Sequence, residues 1–388
     1  MSRPRHLRTV SALSARRRRG AIALAILGLA AAVSGCGLFS NEPRPSPAVS
    51  PSHAETSQEA RTSAPAPTPR HVGSIVLVAG VGESQAGTPS AVAWLGVQQV
   101  ALELGAASSM TIPKSVNDLW AAVQTASTTG ADVVVTIGAP AAAATRTAAL
   151  ANPSVQFFTL DQAVAADAPE NLHAIAFDES EMGYLAGVIA ASLSRHESVG
   201  LVGDDDSSAA TANYADGFRN GALFGNPAAI VNFANAGTAT DPVKGRAAAA
   251  TLVAGAADVV AATSDLSGVG AMREACARGA SVVALDTDAW LLVPDVRPCL
   301  VTSVRKLYDV AIASAIRGYA AGADVPRQIL SDVAAGGVGL TDFRVTEPAA
   351  LTLRLDQVFR EMRAGPPRPT ATPSPSASAI PSAISSAS

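Results

Sequence analysis

The sequence predicts an α/β protein of two lobes, each a parallel sheet with helices on its faces, joined by a hinge. Three observations lead there. Short Val- and Ile-rich runs alternate with longer helical patterns, which is how right-handed βαβ units are written. Eight such runs occur, too many for one comfortable sheet, and 388 residues suffice for about two domains at ~150 residues each. A content of 48% hydrophobic and 15% charged residues excludes a disordered chain, while 4% aromatics leave Ala, Val, Leu and Ile to fill the core.

Residues 1–35 read as an export signal. Arg3, Arg5, Arg8 and the run Arg16, Arg17, Arg18, Arg19 precede an apolar stretch over 21–33. That stretch is shorter than the ~20 residues of a spanning helix and fits the apolar core of a signal peptide. Val33-Ser34-Gly35-Cys36 resembles the bacterial lipoprotein box; the alternative is an ordinary secretory signal with an unrelated cysteine. The box implies that Cys36 is diacylated and becomes the new N-terminus, and two acyl chains suffice for stable anchoring. The expected address is the extracytoplasmic face of the cell membrane. Residues 36–71 are rich in Pro, Ser, Thr and Ala without apolar periodicity and are expected to form a disordered tether; residues 365–388 repeat that composition as a tail.

The folded body is expected over 72–364. Buried strands are predicted at 74–81, 131–138, 155–161, 198–203, 229–233, 258–263, 281–286 and 300–304. Helices are predicted at 89–104, 115–128, 179–194, 213–224, 241–255 and 269–278. The apolar segment 171–177 precedes a helix that opens with Asp178, Glu179 and Glu181, acids suited to the positive end of the helix dipole, and marks a passage between lobes. A return passage is expected near 298–303. The first lobe is then 72–175 plus 302–325 and the second 176–301 plus 326–364, with a cleft between them.

Charge and composition narrow the chemistry. Without its first 35 residues the chain loses seven Arg and no acid, leaving 21 basic against 32 acidic residues and a formal charge of −11. Nucleic acid is therefore not an expected partner, because phosphate binding needs a basic surface. His173 and His196 are the histidines of the body, and three cysteines cannot build a four-cysteine zinc site, so no metal or other cofactor is expected. The run 78–87 (VAGVGESQAG) begins like a dinucleotide fingerprint but has Gln85 where the third glycine belongs, and neither a P-loop nor a G-x-S-x-G elbow is present. Asp204, Asp205 and Asp206 lack the ladder of a calcium loop and read as a solvated turn. Cys276 and Cys299 can pair in an oxidising exterior; two free buried thiols are the alternative.

In open parallel sheets, ligands sit beyond the carboxyl ends of the strands. Asp161, Asp286 and, as the opening of a helix, Lys306 follow three predicted strands, and Gly138 closes another on the same edge. Carboxylates accept from hydroxyls and suit a vicinal diol, while an ammonium donates to carbonyl or ring-nitrogen acceptors; together they point to a polar, uncharged small molecule. Each aspartate can alternatively be a helix cap or turn residue, and Lys306 a solvated lysine. Trp94 and Trp290 are the candidate stacking faces for a flat heterocycle, whereas Phe177 and Tyr184 are expected in the core.

Several runs together carry a family resemblance. NLHAIAFDESEMGYLAG from Asn171, YADGFRNGALFGNP from Tyr214, AADVVAATSDLSGVG from Ala256, VVALDTDAW from Val282, TSVRK from Thr302 and GGVGL from Gly336 resemble, in order, the basic membrane protein family of substrate-binding lipoproteins. Its members serve ATP-binding-cassette (ABC) importers and typically bind purine nucleosides. The resemblance implies a type I periplasmic-binding-protein fold, two Rossmann-like lobes closing on a ligand, and partnership with a permease and an ATPase; a monomer and no catalysis are expected. It assigns ligand contacts to Asp161, to Asp286 in the counterpart of a G-V-D-x-D motif, and to Lys306 in an S-V-x-K motif. Two motifs depart from the pattern: Pro89 and Ser90 stand where the family has a Phe-Asn pair, and Ala239 where it has the aromatic of G-S-F-x-D. Ribose-side recognition is expected to be intact and base recognition altered. Alternatives are an orphan or ligand-sensing surface lipoprotein and, with no base or nucleophile to support it, an enzyme.

Overall fold

The computed structural model describes residues 68–162, 167–205 and 207–365. The signal segment, Cys36, nearly all of the tether and the tail beyond residue 365 lie outside the described residues.

In chain order the first strands are β1 (Ser74–Val78), β2 (Ala107–Thr111), β3 (Val133–Ile137), β4 (Gln156–Leu160) and β5 (Leu172–Phe177). There follow β6 (Ser198–Gly203), β7 (Ile230–Asn235), β8 (Val259–Ala262), β9 (Ser281–Asp286), β10 (Leu300–Lys306), β11 (Gln328–Ser331) and β12 (Val338–Leu340). The helices are α1 (Pro89–Leu104), α2 (Val116–Thr128), α3 (Ala142–Ala151), α4 (Glu179–Leu193) and α5 (Ala209–Gly225). The rest are α6 (Pro242–Ala254), α7 (Leu266–Ala277), the single turn α8 (Ala289–Leu292), α9 (Tyr308–Ala320) and α10 (Ala349–Ala364).

Two six-stranded sheets result, ordered β11-β5-β4-β3-β1-β2 and β12-β10-β9-β8-β6-β7. Every pairing is parallel except β10 with β12. Alternate residues of each strand feed opposite faces, as the period of a strand requires. Val133 and Val135 enter one core of the first sheet and Val134 the other, and in the second sheet Val259 and Val260 divide in the same way. Both faces are thus buried, the reason these strands read as continuous apolar runs.

Local signals set the helix ends. Thr88 Oγ1 accepts from the Ala91 amide ahead of Pro89, and Gly105, at φ 67°, closes α1 in the left-handed region. Asp178, Asp241 and Asp265 cap α4, α6 and α7 with their carboxylates. Helices α4 and α5 approach closely because Gly183, Gly187, Gly217 and Gly221 face backbone; a Cβ on Gly221 would lie 2.0 Å from the Tyr184 carbonyl oxygen.

The lobe boundaries differ from the sequence expectation. All of β10 is hydrogen-bonded in the second sheet, so the chain returns after Lys306 and not at 302. Strand β11 pairs with β5, which puts 328–331 in the first sheet and not in the second lobe. Ladder pairing outweighs the local cues from which the boundaries were drawn. Lys306 likewise ends a strand; the helix opens at Tyr308. The edge strand β2 went unforeseen because ASSMT is mostly exposed and carries no apolar run.

The chain passes between sheets three times, after β5, after β10 and after β11. The passages are tied to one another. Glu181 Oε2 accepts from the Val333 amide at 2.7 Å, and the Leu307 amide donates to the Gly337 carbonyl at 2.7 Å.

Candidate functional site

The carboxyl ends of β4, β9 and β10 supply the central side chains. Asp161 follows β4, and Asp286 and Lys306 end β9 and β10 in the other sheet. Lys306 Nζ donates to Asp161 Oδ1 at 3.1 Å and lies 3.5 Å from Asp286 Oδ1, so one ammonium joins carboxylates from the two sheets. Side-chain exposure is 10% for Lys306, 25% for Asp161 and 19% for Asp286, low enough for the attraction to escape most solvent screening.

Neither aspartate serves as a helix cap. Both instead have left-handed backbones, with φ 53° at Asp161 and 75° at Asp286, a conformation that costs a non-glycine residue on the order of 1–2 kcal/mol. The Asp161 amide still donates to the Ile175 carbonyl at 3.1 Å, and the Thr287 amide turns back to the Leu285 carbonyl at 3.0 Å. These bonds hold the bend in place. Gly138, at φ 78°, donates its amide to the Leu160 carbonyl at 2.9 Å and so supports the strand end that carries Asp161.

Two tyrosines that sequence reasoning passed over complete the arrangement. Tyr308 O–H donates to Asp161 Oδ2 and Tyr214 O–H to Asp286 Oδ1. Burial, and then the neighbouring carboxylates, raise both phenol pKa values, so both remain protonated donors. Tyr308 stands two residues beyond Lys306, and Tyr214 opens one of the family-like runs; a tyrosine near a strand-end carboxylate was the available signal. Burial works against the Lys306 ammonium, but the Asp161, Asp286 and Glu179 carboxylates outweigh it and raise its pKa. Glu179, at the head of α4 on the first passage, was also missed as a site residue. Burial raises its pKa against the pull of Lys306.

The aromatic candidates fare differently. Trp94 packs, partly buried, against the first-sheet core, and Trp290 packs against a second-sheet core. The Trp290 ring is also covered by the guanidiniums of Arg297 and Arg344, at 4.9 and 4.5 Å from its centroid. Its neighbour Asp288 caps α8. Two guanidiniums thus lie within cation–π range of the ring expected to face a heterocycle. Phe177 is buried yet relevant: its ring meets Tyr308 edge-on at 5.0 Å and lies 5.7 Å from Lys306 Nζ. Asp204 accepts from Thr211 and Asp205 from Ser207, so both serve their turn, while Asp206 lies outside the described residues. Cys276 and Cys299 are joined as a disulfide with Cα atoms 5.6 Å apart. Among the described residues no cluster fit for a metal ion occurs, and no helix is long and apolar enough to cross a membrane.

The family model described as Bmp, ABC transporter substrate-binding protein PnrA-like, matches residues 90–361. The chain belongs to this family. Basic membrane protein A of Borreliella burgdorferi is 28% identical over 169 residues, which cover 43% of this chain and 50% of that protein. Basic membrane protein A1 of Borrelia garinii subsp. bavariensis is 25% identical over 170 residues, with 43% and 50% covered. The chain therefore spans about half the length of the curated relatives it matches. An ABC transporter solute-binding protein of Conexibacter woesei superposes with a TM-score of 0.62 at 23% identity, covering 77% of this chain and 99% of that one. A solute-binding protein of Aeropyrum pernix gives 0.58 at 20% identity, with 76% and 92% covered. At such identities the likeness establishes the fold, the type I architecture of solute-binding proteins.

Proposed function

We propose that this protein is a lipid-anchored receptor of an ABC importer, which captures a nucleoside-like ligand between its lobes and presents it to a permease and ATPase. The observation that carries the reading is the meeting of Asp161 and Asp286, from separate sheets, on Lys306. Two carboxylates held rigidly at strand ends suit the hydroxyls of a sugar, and their phenol partners leave lone pairs free to accept. A guest touching both sheets favours closure by the difference between its affinities for the closed and open forms. Membership of a substrate-binding family supports binding without a chemical step. The lipoprotein-like Val33-Ser34-Gly35-Cys36 supports anchoring through Cys36 on the extracytoplasmic face.

The test is a thermal melt of the full chain in detergent against a panel of nucleosides. A ligand at about 100 times its dissociation constant adds ~2.7 kcal/mol of stability. Absence of a shift with every nucleoside removes the proposed ligand class. A second reading, a sensor that signals to a membrane partner without transport, is favoured by Pro89, Ser90 and Ala239 standing at the family's base-recognition positions. Ligand uptake into cells that require this chain argues for transport; ligand binding without uptake argues for the sensor.

A further inference from the structure

A glycine inside a helix costs stability relative to alanine and is kept where a neighbouring backbone comes too close for a Cβ. Every glycine of the described helices but one has that reason, since a Cβ on it would fall within 2.9 Å of a neighbouring backbone oxygen. Gly318, in the last turn of α9, is the exception: its Cβ would meet nothing within 4 Å among the described residues. Nor does it stop the helix, because the left-handed residue after α9 is Gly322, at φ 87°. Gly318 opens onto a cavity of about 240 Å³ between α9 and the edge strand β11. Ala311, Ala315 and Gly318 share the helix face that forms one wall, and Ile329 and Leu330 form the strand wall. Leu330 is 53% exposed and β11 is bonded to β5 alone, so this apolar groove lies open on the side of the first lobe.

The chain's own entry into the body lies at the rim of the groove. The Arg70 amide donates to the Ala320 carbonyl at 2.8 Å. Its guanidinium donates to the carbonyls of Tyr319 at 3.1 Å and Ala323 at 2.7 Å, and sits 4.9 Å from the centroid of the Tyr319 ring. Ala323 also lines the cavity. The residues that lead into Arg70 read Ala64-Pro65-Ala66-Pro67-Thr68-Pro69. Each proline fixes its own φ and bars the residue before it from the helical region, so covalent geometry favours an extended form for all six. A small-sided apolar stretch already biased to its extended form loses little freedom on docking. At about 3.1 Å per residue it spans roughly 19 Å, ample for the ~10 Å between Ala311 and Gly318 along α9.

We infer that residues 64–69 dock in the groove between α9 and β11, with their backbone in the space left by the missing Cβ of Gly318. The tether expected over 36–71 then ends in a fastened stretch, and 37–63 is the spacer. Helix α9 begins at Tyr308, beside Asp161, and ends at this groove, so the tether grips the first lobe at the end remote from the cleft and leaves the second lobe free to hinge. The inference depends neither on the ligand nor on acylation of Cys36, and failure of either reading leaves it standing.

The test is cysteine cross-linking in the full chain in detergent. Ala66→Cys paired with Gly318→Cys is expected to form a disulfide within one chain at least tenfold faster than Ala66→Cys paired with Leu102→Cys, a position 85% exposed at the end of the neighbouring helix α1. Equal rates overturn the inference. A disulfide that joins two chains, read as a doubled mass, also overturns it and assigns the groove to a second copy. Independently, Gly318→Phe fills the groove, and the open space at its Cβ lets the body keep its melting temperature. Tryptic cutting after Arg61, next to the docked stretch, is expected to quicken severalfold in that variant, and an unchanged rate of cutting overturns the inference.

Discussion

Replacing Lys306 by Met removes the ammonium while keeping most of the apolar stem. The side chain is 10% exposed, with Asp161 at 3.1 Å and Asp286 at 3.5 Å, so the change strands two carboxylates at a time. Removing one partner of a buried ion pair costs roughly 3–5 kcal/mol. Water still reaches the aspartates, which are 25% and 19% exposed, and Tyr308 and Tyr214 still donate to them, so the low end, about 3 kcal/mol, is expected. At about 2 °C per kcal/mol for a body of this size, Lys306→Met melts roughly 6 °C below the parent. Adding Asp161→Asn and Asp286→Asn to it is expected to restore most of the loss, since the two carboxylates that pair directly with Lys306 are then gone. Scanning calorimetry of the full chain reads both. A single variant melting within about 1 °C of the parent refutes the view that Lys306 neutralises the strand ends, and a triple variant no better than the single refutes stranded charge as the cause.

Four further outcomes are expected. Asp286→Ala abolishes any nucleoside-dependent thermal shift, and an unaltered shift refutes its sugar-binding role. His173 is held near neutral charge: burial depresses its pKa, against the bond to the Pro326 carbonyl. Because the unfolded chain takes up that proton first, this contribution is complete above about pH 6.5 and is lost as pH falls below it, so melting temperature should decline less with acid in His173→Gln. Replacing Cys276 and Cys299 together by Ser lowers the urea midpoint by an amount equivalent to about 3–4 kcal/mol, the loop-closure contribution of their separation, and an unchanged midpoint would contradict it. Gly221→Ala, whose Cβ would meet the Tyr184 carbonyl at 2.0 Å, forces α4 from α5 and costs on the order of 1–3 kcal/mol by the same titration.

Much of the architecture was written locally. Strands β6 and β9 fall at the residues predicted, and α1 spans 89–104 as expected, because a run buried on both faces and a Thr-Pro start followed by a Gly stop are properties of neighbours in sequence. Strand ends also nominated Asp161, Asp286 and Lys306, since a parallel sheet leaves few other places for a ligand. The edges β2 and β11 were not legible: their residues are mostly exposed, and only pairing with β1 and β5 makes them strands.

What tertiary structure alone decided is which groups those three side chains meet. The Tyr308 hydroxyl and the Lys306 ammonium reach Asp161 across 147 and 145 residues, and Tyr214 reaches Asp286 across 72. The same folding gave the Trp290 ring to two arginines and brought Glu179 within range of Lys306. Periodicity and capping act over a few residues and survive in the sequence, whereas electrostatic partnership depends on separation in space, which is fixed only once both sheets have formed and the three passages hold them together.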